Sequence, residues 1–389
     1  MEQWKQDRLI DILDTLIDYR GKTPNKVECG IPLITAKIVK NGRIETPTEF
    51  LPAEEYRDWM VRGYPQVGDV VLTTEAPLGE VAQLKDDKIA LAQRIVCLRG
   101  KEDALDNTYL KYFLMSNIGQ YRLKARETGT TVTGIKQSEL KEVLIDYPNY
   151  ELQQKIASIL SSLDSKIELN RRINDNLEQQ AQAWLNELLD RYANSTTVLI
   201  HEIAEINPKR NLSKGTSAKC IEMANLPTTG SFPNGWIEKE YNGGMKFCNG
   251  DTLIARITPC LENGKTAFIN FLDKNEIAYG STEYIVISAK SNYSSSFFYF
   301  LARNHDFVDY AVKNMNGSSG RQRVSGDTIS KYRIPVIPRE KLESFTNHAE
   351  IALKTIKNNS LQNMRLSMTR DALLPKLMSG ELKVNDLNS

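Results

Sequence analysis

Residues Gln153–Leu188 read QQKIASILSSLDSKIELNRRINDNLEQQAQAWLNEL. Within this stretch, positions alternately three and four apart are Ile156, Leu160, Leu163, Ile167, Asn170, Asn174, Leu177, Ala181, Trp184 and Leu188. Eight of these ten are apolar, and a mean spacing of 3.5 is the period of a coiled-coil seam rather than of a globular surface helix. Glu, Lys, Arg and Gln fill the outer face, and neither Gly nor Pro interrupts the run. The pattern predicts one helix between Asn149 and Tyr192, a rod of roughly 60 Å at about 1.5 Å per residue. The two mid-seam asparagines cost stability, and their usual value is to fix register and partner.

The partner is further along the chain. A second helical pattern runs from about Arg339 to Lys376. Its expected apolar surface is Leu342, Phe345, Ala349, Ala352, Leu353, Ile356, Leu361, Met364, Leu366 and Met368. Asn358, Asn359 and Asn363 again fall near the middle. Antiparallel pairing would bring the two asparagine groups together, where they can satisfy one another.

Outside the helices one plan occurs twice. In the first half a turn and strand (Val67–Thr73) is followed by a strand expected over Ile89–Leu98 and a short helix over Thr108–Asn117. A polar loop, Thr128–Lys136, and a break at Pro148 come next. In the second half Asn249–Arg256, Glu283–Ser288, Phe297–Ala302, Asn316–Val324 and Pro338 follow in the same order. Gly68 to Gly250 is 182 residues, Gly129 to Gly317 is 188, and Pro148 to Pro338 is 190. So small a drift marks a duplication of whole domains, since solenoid repeats are far shorter. The expected division is 1–148 and 193–338 as two similar domains, with 149–192 and 339–389 as the two helical spacers. The fold class is α+β: two similar mixed α/β domains separated by two long antiparallel coiled-coil helices, pseudo-two-fold symmetric.

Composition bounds the function. The 389-residue chain has a net charge of +1, which excludes a uniformly basic coat but not a local basic groove. No run of 18 apolar residues occurs and Met1–Arg8 is polar, so neither a membrane span nor a signal peptide is indicated. The five cysteines form no Cys-x-x-Cys pair and the three histidines are isolated. Reduced thiols in a cytoplasmic protein without a metal site are expected.

The common catalytic constellations are missing. Gly21-Lys22-Thr23 and Gly264-Lys265-Thr266 imitate the end of a P-loop, but the required earlier glycine is replaced by Leu16 and Pro259. No dinucleotide fingerprint, nucleophile elbow, HExxH or Cys/His pair is present. Asn207-Pro208-Lys209 lacks the second proline and the aromatic of the amino-methyltransferase motif.

The duplicated polar loops suggest binding instead. Glycine lets backbone N–H groups approach phosphate, Thr and Ser hydroxyls donate to it, and arginine reads guanine in the major groove. Candidate DNA contacts in the first half are Arg20, Lys22, Thr23, Thr35, Lys37, Thr73, Thr74, Arg94, Thr130, Thr131, Thr133 and Lys136. In the second half they are Lys209, Arg210, Arg256, Thr258, Ser281, Thr282, Ser318, Ser319, Arg321 and Arg323. Two similar readers on a rigid spacer would meet two segments on one face of a duplex, about a turn or more apart at roughly 34 Å per turn.

These residues resemble a known family. Thr128-Gly129-Thr130-Thr131-Val132-Thr133-Gly134-Ile135, then Leu140-Lys141, Pro148 and Glu151–Leu160, resembles the end of a target-recognition domain running into the first shared helix of type I restriction-modification specificity subunits. The tail Arg370–Leu382 (RDALLPKLMSGEL) is similar to that family's C-terminal signature, and Arg20–Pro24 with Gly30–Thr35 to the start of its first recognition domain. In the second loop, Gly317–Arg323 lacks the paired threonines. The resemblance implies a non-catalytic subunit that selects a bipartite double-stranded DNA target with a non-specific gap. It implies two methyltransferase subunits docked on the exposed helix faces, restriction subunits joining them, and no membrane. S-adenosylmethionine, ATP and Mg would be bound by those partners. The alternative is a coiled-coil scaffold whose end domains bind proteins; a steep salt dependence with sequence preference distinguishes DNA reading from it.

Overall fold

The central helix starts where the sequence stops offering strand residues. After the strand Leu144–Tyr147 comes Pro148, and the Asn149 side chain accepts a hydrogen bond from Leu152 N at 2.9 Å, capping a helix that runs Tyr150–Arg191. The second long helix spans Arg339–Met378, with Pro375 in its final turns. The computed structural model describes residues 4–129, 133–290, 293–318 and 320–384. The chain divides into two compact units, 1–165 with 366–389, and 166–365, so each unit takes part of both long helices. The architecture is α+β: two similar mixed α/β globular parts, each built onto antiparallel segments of the two long helices.

In the first unit, a four-stranded sheet has the order Leu13–Asp18, Ile95–Gly100, Val70–Thr74, Leu78–Gln83. Every residue of Val70–Thr74 is buried, because both faces of the sheet are covered. Val70 and Leu72 face one core, with Tyr109 and Phe113 of the short helix Asn107–Met115 and with Ile156, Leu160, Leu374 and Leu377 of the long helices. Val71 and Cys97 face a second core, completed by a small sheet in which Ile31–Ile34 pairs parallel to Ala90–Leu91. The strand expected over Ile89–Leu98 is therefore two strands in two different sheets, broken by the turn before Ile95. Apolar residues throughout conceal such a break, since periodicity cannot register a change of sheet.

The second unit repeats this topology: Ala204–Ile206, Tyr284–Ala289, Thr252–Ala255, Thr266–Phe268. Ile254, Ile285 and Ile287 face the helix side, with Phe297–Ala302, Leu185, Leu188, Phe345 and Ala349. Leu253, Ala255 and Val286 face the second sheet, where Ser217–Ile221 pairs parallel to Ala278–Gly280.

The helix seam is polar where the sequence placed asparagines. In the second unit Asn170 Nδ2 donates to Gln362 Oε1 (2.7 Å) and Asn363 Oδ1 (2.8 Å), and Asn359 Nδ2 donates to Asn174 Oδ1 (2.9 Å). Further along the same unit Trp184 meets Phe345 and His348, so partner numbers fall as helix numbers rise. In the first unit Asp164 ties the same pair of helices through Arg370 (2.8 Å). It also accepts from Lys111 Nζ (3.1 Å) and the Tyr112 hydroxyl (2.7 Å). Met364 and Met368, expected on the apolar surface of the second helix, are instead exposed; Met368 is 70% so. The polar exchange at Asn359 and Asn363 occupies the seam there, which leaves the methionine turns facing outward.

Candidate nucleic-acid interface

In each unit the polar loop is sewn to the sheet by the same backbone hydrogen bonds. In the first, Thr128 and Gly134 exchange N–H···O bonds (2.7 and 3.0 Å), Ile135 N donates to Thr74 O (2.9 Å) and Thr74 N to Arg94 O (2.9 Å). In the second, Asn316 and Arg323 exchange bonds (2.9 Å each), Val324 N donates to Arg256 O (3.0 Å) and Arg256 N to Glu283 O (2.9 Å). Thr74 therefore corresponds to Arg256, Gly134 to Arg323, and Arg94 to Glu283. The loop edge thus carries opposite charges at one structural position.

The candidates divide by where these hydrogen bonds put them. Thr35, Thr73 and Thr74 are buried. Thr73 Oγ1 accepts from Glu80 N at 2.9 Å inside the hairpin, so these three threonines are parts of the fold and not surface contacts. The sequence could not separate them from exposed threonines, because a strand covered on both faces loses its alternation.

Several arginines are also occupied. Arg20 lies on Asp18 (Nη2 to Oδ2, 2.7 Å; Nε to Oδ2, 2.9 Å) and its Nη1 donates to Ile135 O. Arg210 forks both oxygens of buried Asp251 at 2.6 Å. Arg323 holds Glu283 by Nε (2.9 Å) and Nη2 (2.8 Å), and its Nη1 donates to Arg321 O at 3.0 Å. That hydrogen bonding holds the Glu283 carboxyl below its usual range despite partial burial. Arg256 Nε lies 4.0 Å from the same carboxylate, and Arg94 pairs with Glu75 at 2.9 Å.

The rest are more accessible. Thr23, Thr133 and Lys136 are exposed in the first unit and Lys22 is half-buried; Lys37 is exposed, with Glu49 at 3.8 Å. In the second unit Lys209, Thr282, Ser318 and Arg321 are exposed. Thr258 and Ser281 are half-buried; Ser281 Oγ accepts from Glu283 N at 3.1 Å, and the Thr258 hydroxyl lies within reach of Glu262 and Met315 Sδ. Among the described residues Arg321 makes no ion pair. Thr130, Thr131 and Ser319 lie outside the described residues.

The acids that hold these arginines, Asp18, Glu75, Asp251 and Glu283, went unnoticed in the sequence. Asp18 stands two residues from its arginine and could have been found; Glu283 is forty residues from Arg323 and gives no local signal. Among the described residues no group of three or more His, Cys, Asp or Glu is placed to hold a metal ion, and no helix is long and apolar enough to cross a membrane.

A family model described as the type I restriction modification DNA specificity domain matches residues 1–179. The chain is 28% identical to the type I restriction enzyme MjaIX specificity subunit of Methanocaldococcus jannaschii, over 99% of this chain and 95% of that protein. It is 30% identical to the EcoAI specificity subunit of Escherichia coli over 51% of this chain and 34% of that one. The crystal structure of a type I restriction-modification S subunit from M. genitalium superposes with a TM-score of 0.56 at 16% identity, covering 97% of this chain and 96% of that one, and so shares the fold. In its two loop-bearing units and paired helices the chain is thus similar to specificity subunits of type I restriction-modification systems, and it shares their fold.

Proposed function

We propose that the two units each read one half of a split double-stranded DNA target, leaving the base pairs between the halves unread. The observation that carries this is the recurrence of one loop-to-sheet attachment in both units, each presenting exposed cationic and hydroxyl side chains. Lys136, Thr133 and Thr23 serve one half-site; Arg321, Ser318, Thr282 and Lys209 serve the other. Bidentate arginine contacts in the major groove specify bases, and lysine, serine and threonine position the phosphates.

On this reading the subunit recruits methyltransferase subunits, two per complex, and restriction subunits join them in the cytoplasm. Exposed apolar side chains on the long helices, such as Ile351 and Met368, suit such docking. S-adenosylmethionine, ATP and Mg belong to those partners, and the chemistry on a flipped adenine is theirs. Methylation-aware sequencing of the host genome tests the proposal: a methylated motif in two parts with a fixed gap is expected. A continuous motif, or none that depends on this subunit, would refute it.

A further inference from the structure

Arg20 and Arg323 occupy non-equivalent positions, yet they do the same thing. Each guanidinium lies against a carboxylate at the margin of its own sheet, Asp18 at the end of a strand and Glu283 in the turn just before one. Each then donates its remaining Nη1 to a carbonyl of the polar loop, Ile135 O in one unit and Arg321 O in the other. At Arg323 three of the five N–H donors are thereby committed to protein acceptors. In the second unit the acceptor is the peptide of Arg321, the exposed arginine without an ion pair among the described residues. The turn there closes through Arg321 N to Ser318 O at 3.0 Å, so the Arg323 bond fixes the direction in which the neighbouring side chain leaves the loop.

We propose that Arg323, locked by Glu283, is a positioning residue that aims Arg321 at DNA and itself touches neither base nor phosphate, and that Arg20 on Asp18 does the same for the loop before Lys136. This rests on the DNA-reading role proposed above. A guanidinium suits the task because its planar fork grips a carboxylate with one edge while another N–H points elsewhere; an ammonium has no such geometry. The charge reversal between Arg94 and Glu283 follows from the same logic. The second unit needs an acid at that position to hold an arginine from the loop, whereas the first draws its acid from Asp18.

The test uses the subunit assembled with its methyltransferase subunits and a randomised duplex pool, sequenced after selection, with affinity for a selected duplex measured across a salt series. Three variants are compared: Arg321→Ala, Arg323→Lys, and the double variant Arg323→Gln with Glu283→Gln. Arg323→Lys is expected to lower sequence preference about tenfold in the half-site that Arg321→Ala also affects, leaving the other half-site unchanged. The double variant is expected to show the same loss of preference with the wild-type salt slope. Melting temperatures of the assembled complexes report on folding separately. A salt slope reduced by about one in the double variant, with uniformly weaker binding to all sequences, would make Arg323 a phosphate contact and overturn the proposal. Unchanged preference in both Arg323 variants would overturn it too. Failure of DNA reading itself has a different signature: no preference in the wild-type complex.

Discussion

Replacing Asp164 by Asn should destabilise the first unit strongly, because Asp164 neutralises two cations that water scarcely reaches. Lys111 is 8% exposed, Arg370 15%, and Asp164 itself 22%. Burial works against ionising Asp164, but Lys111, the Tyr112 hydroxyl and Arg370 outweigh it and hold its carboxyl below the usual value. Burial likewise lowers Lys111, against the pull of Asp164. Removing one partner of a buried pair costs roughly 3–5 kcal/mol; partial exposure, and an amide that still accepts from Tyr112, argue for about 3. For a unit of 189 residues, that is a fall in melting temperature of roughly 6–12 °C. Calorimetry of Asp164→Asn measures it, and hydrogen exchange in Asn107–Met115 assigns it to this unit. Adding Lys111→Met should recover much of the loss, because the uncompensated ammonium leaves with it. If the two single losses simply add in the double variant, to within about 0.5 kcal/mol, the groups are not coupled and the reasoning fails. The pH dependence has a definite sign. A carboxyl lowered on folding contributes stability above its ordinary value, near 4, and loses it as pH falls through the folded value. Wild type should therefore show an acid-side loss that Asp164→Asn lacks.

Glu178 in the second unit should behave oppositely. Burial raises it despite the Tyr299 hydroxyl and Arg303, so its favourable contribution is present below the ordinary glutamate value and lost as pH rises through the folded one. Glu178→Gln should leave melting at pH 7 unchanged or higher, and a drop above about 2 kcal/mol would contradict this. Arg321→Ala and Lys136→Ala should each weaken specific DNA binding by about 1–3 kcal/mol in filter-binding or fluorescence titrations; full affinity in both would remove these loops from the interface. Asn170→Leu should raise the denaturation midpoint, because Asn170 Oδ1 is buried with no hydrogen-bond partner among the described residues and seam asparagines cost stability. A lower midpoint would show that the amide bonds to Gln362 and Asn363 outweigh that cost.

The long helices and the duplication were legible because both are periodic signals that need no knowledge of partners. Asn170 and Asn174 stood out in an apolar seam, and the matching asparagines on the second helix do meet them. Burial on both faces of a sheet was not legible: nothing local distinguishes Thr73, at 0% exposed, from exposed Thr133. Nor was the fate of a guanidinium. Arg210, Arg321 and Arg323 look alike in a polar segment, yet Asp251 claims the first, Glu283 claims the third, and Arg321 is left outward. Those partners lie about forty positions away, joined by strand pairing rather than by spacing. Met364 and Met368 mislead for a related reason, since helical spacing identifies an apolar stripe without saying whether anything covers it.

The partition of the two units across the helices bears on how the chain is made. Residues 166–365 form one uninterrupted stretch, whereas the other unit joins the first 165 residues to the last 24. Leu374, Leu377 and Met378 belong to the same core as Leu9 and Val96, so residues 1–165 find their closing residues only after 166–365 have been made. The portion made later has all of its own residues sooner. Domains that fold during synthesis usually mature from the N-terminus; here the ribosome delivers the pieces in an order that reverses that sequence. Until Leu374, Leu377 and Met378 emerge, the early half must wait with one face of its sheet unfinished.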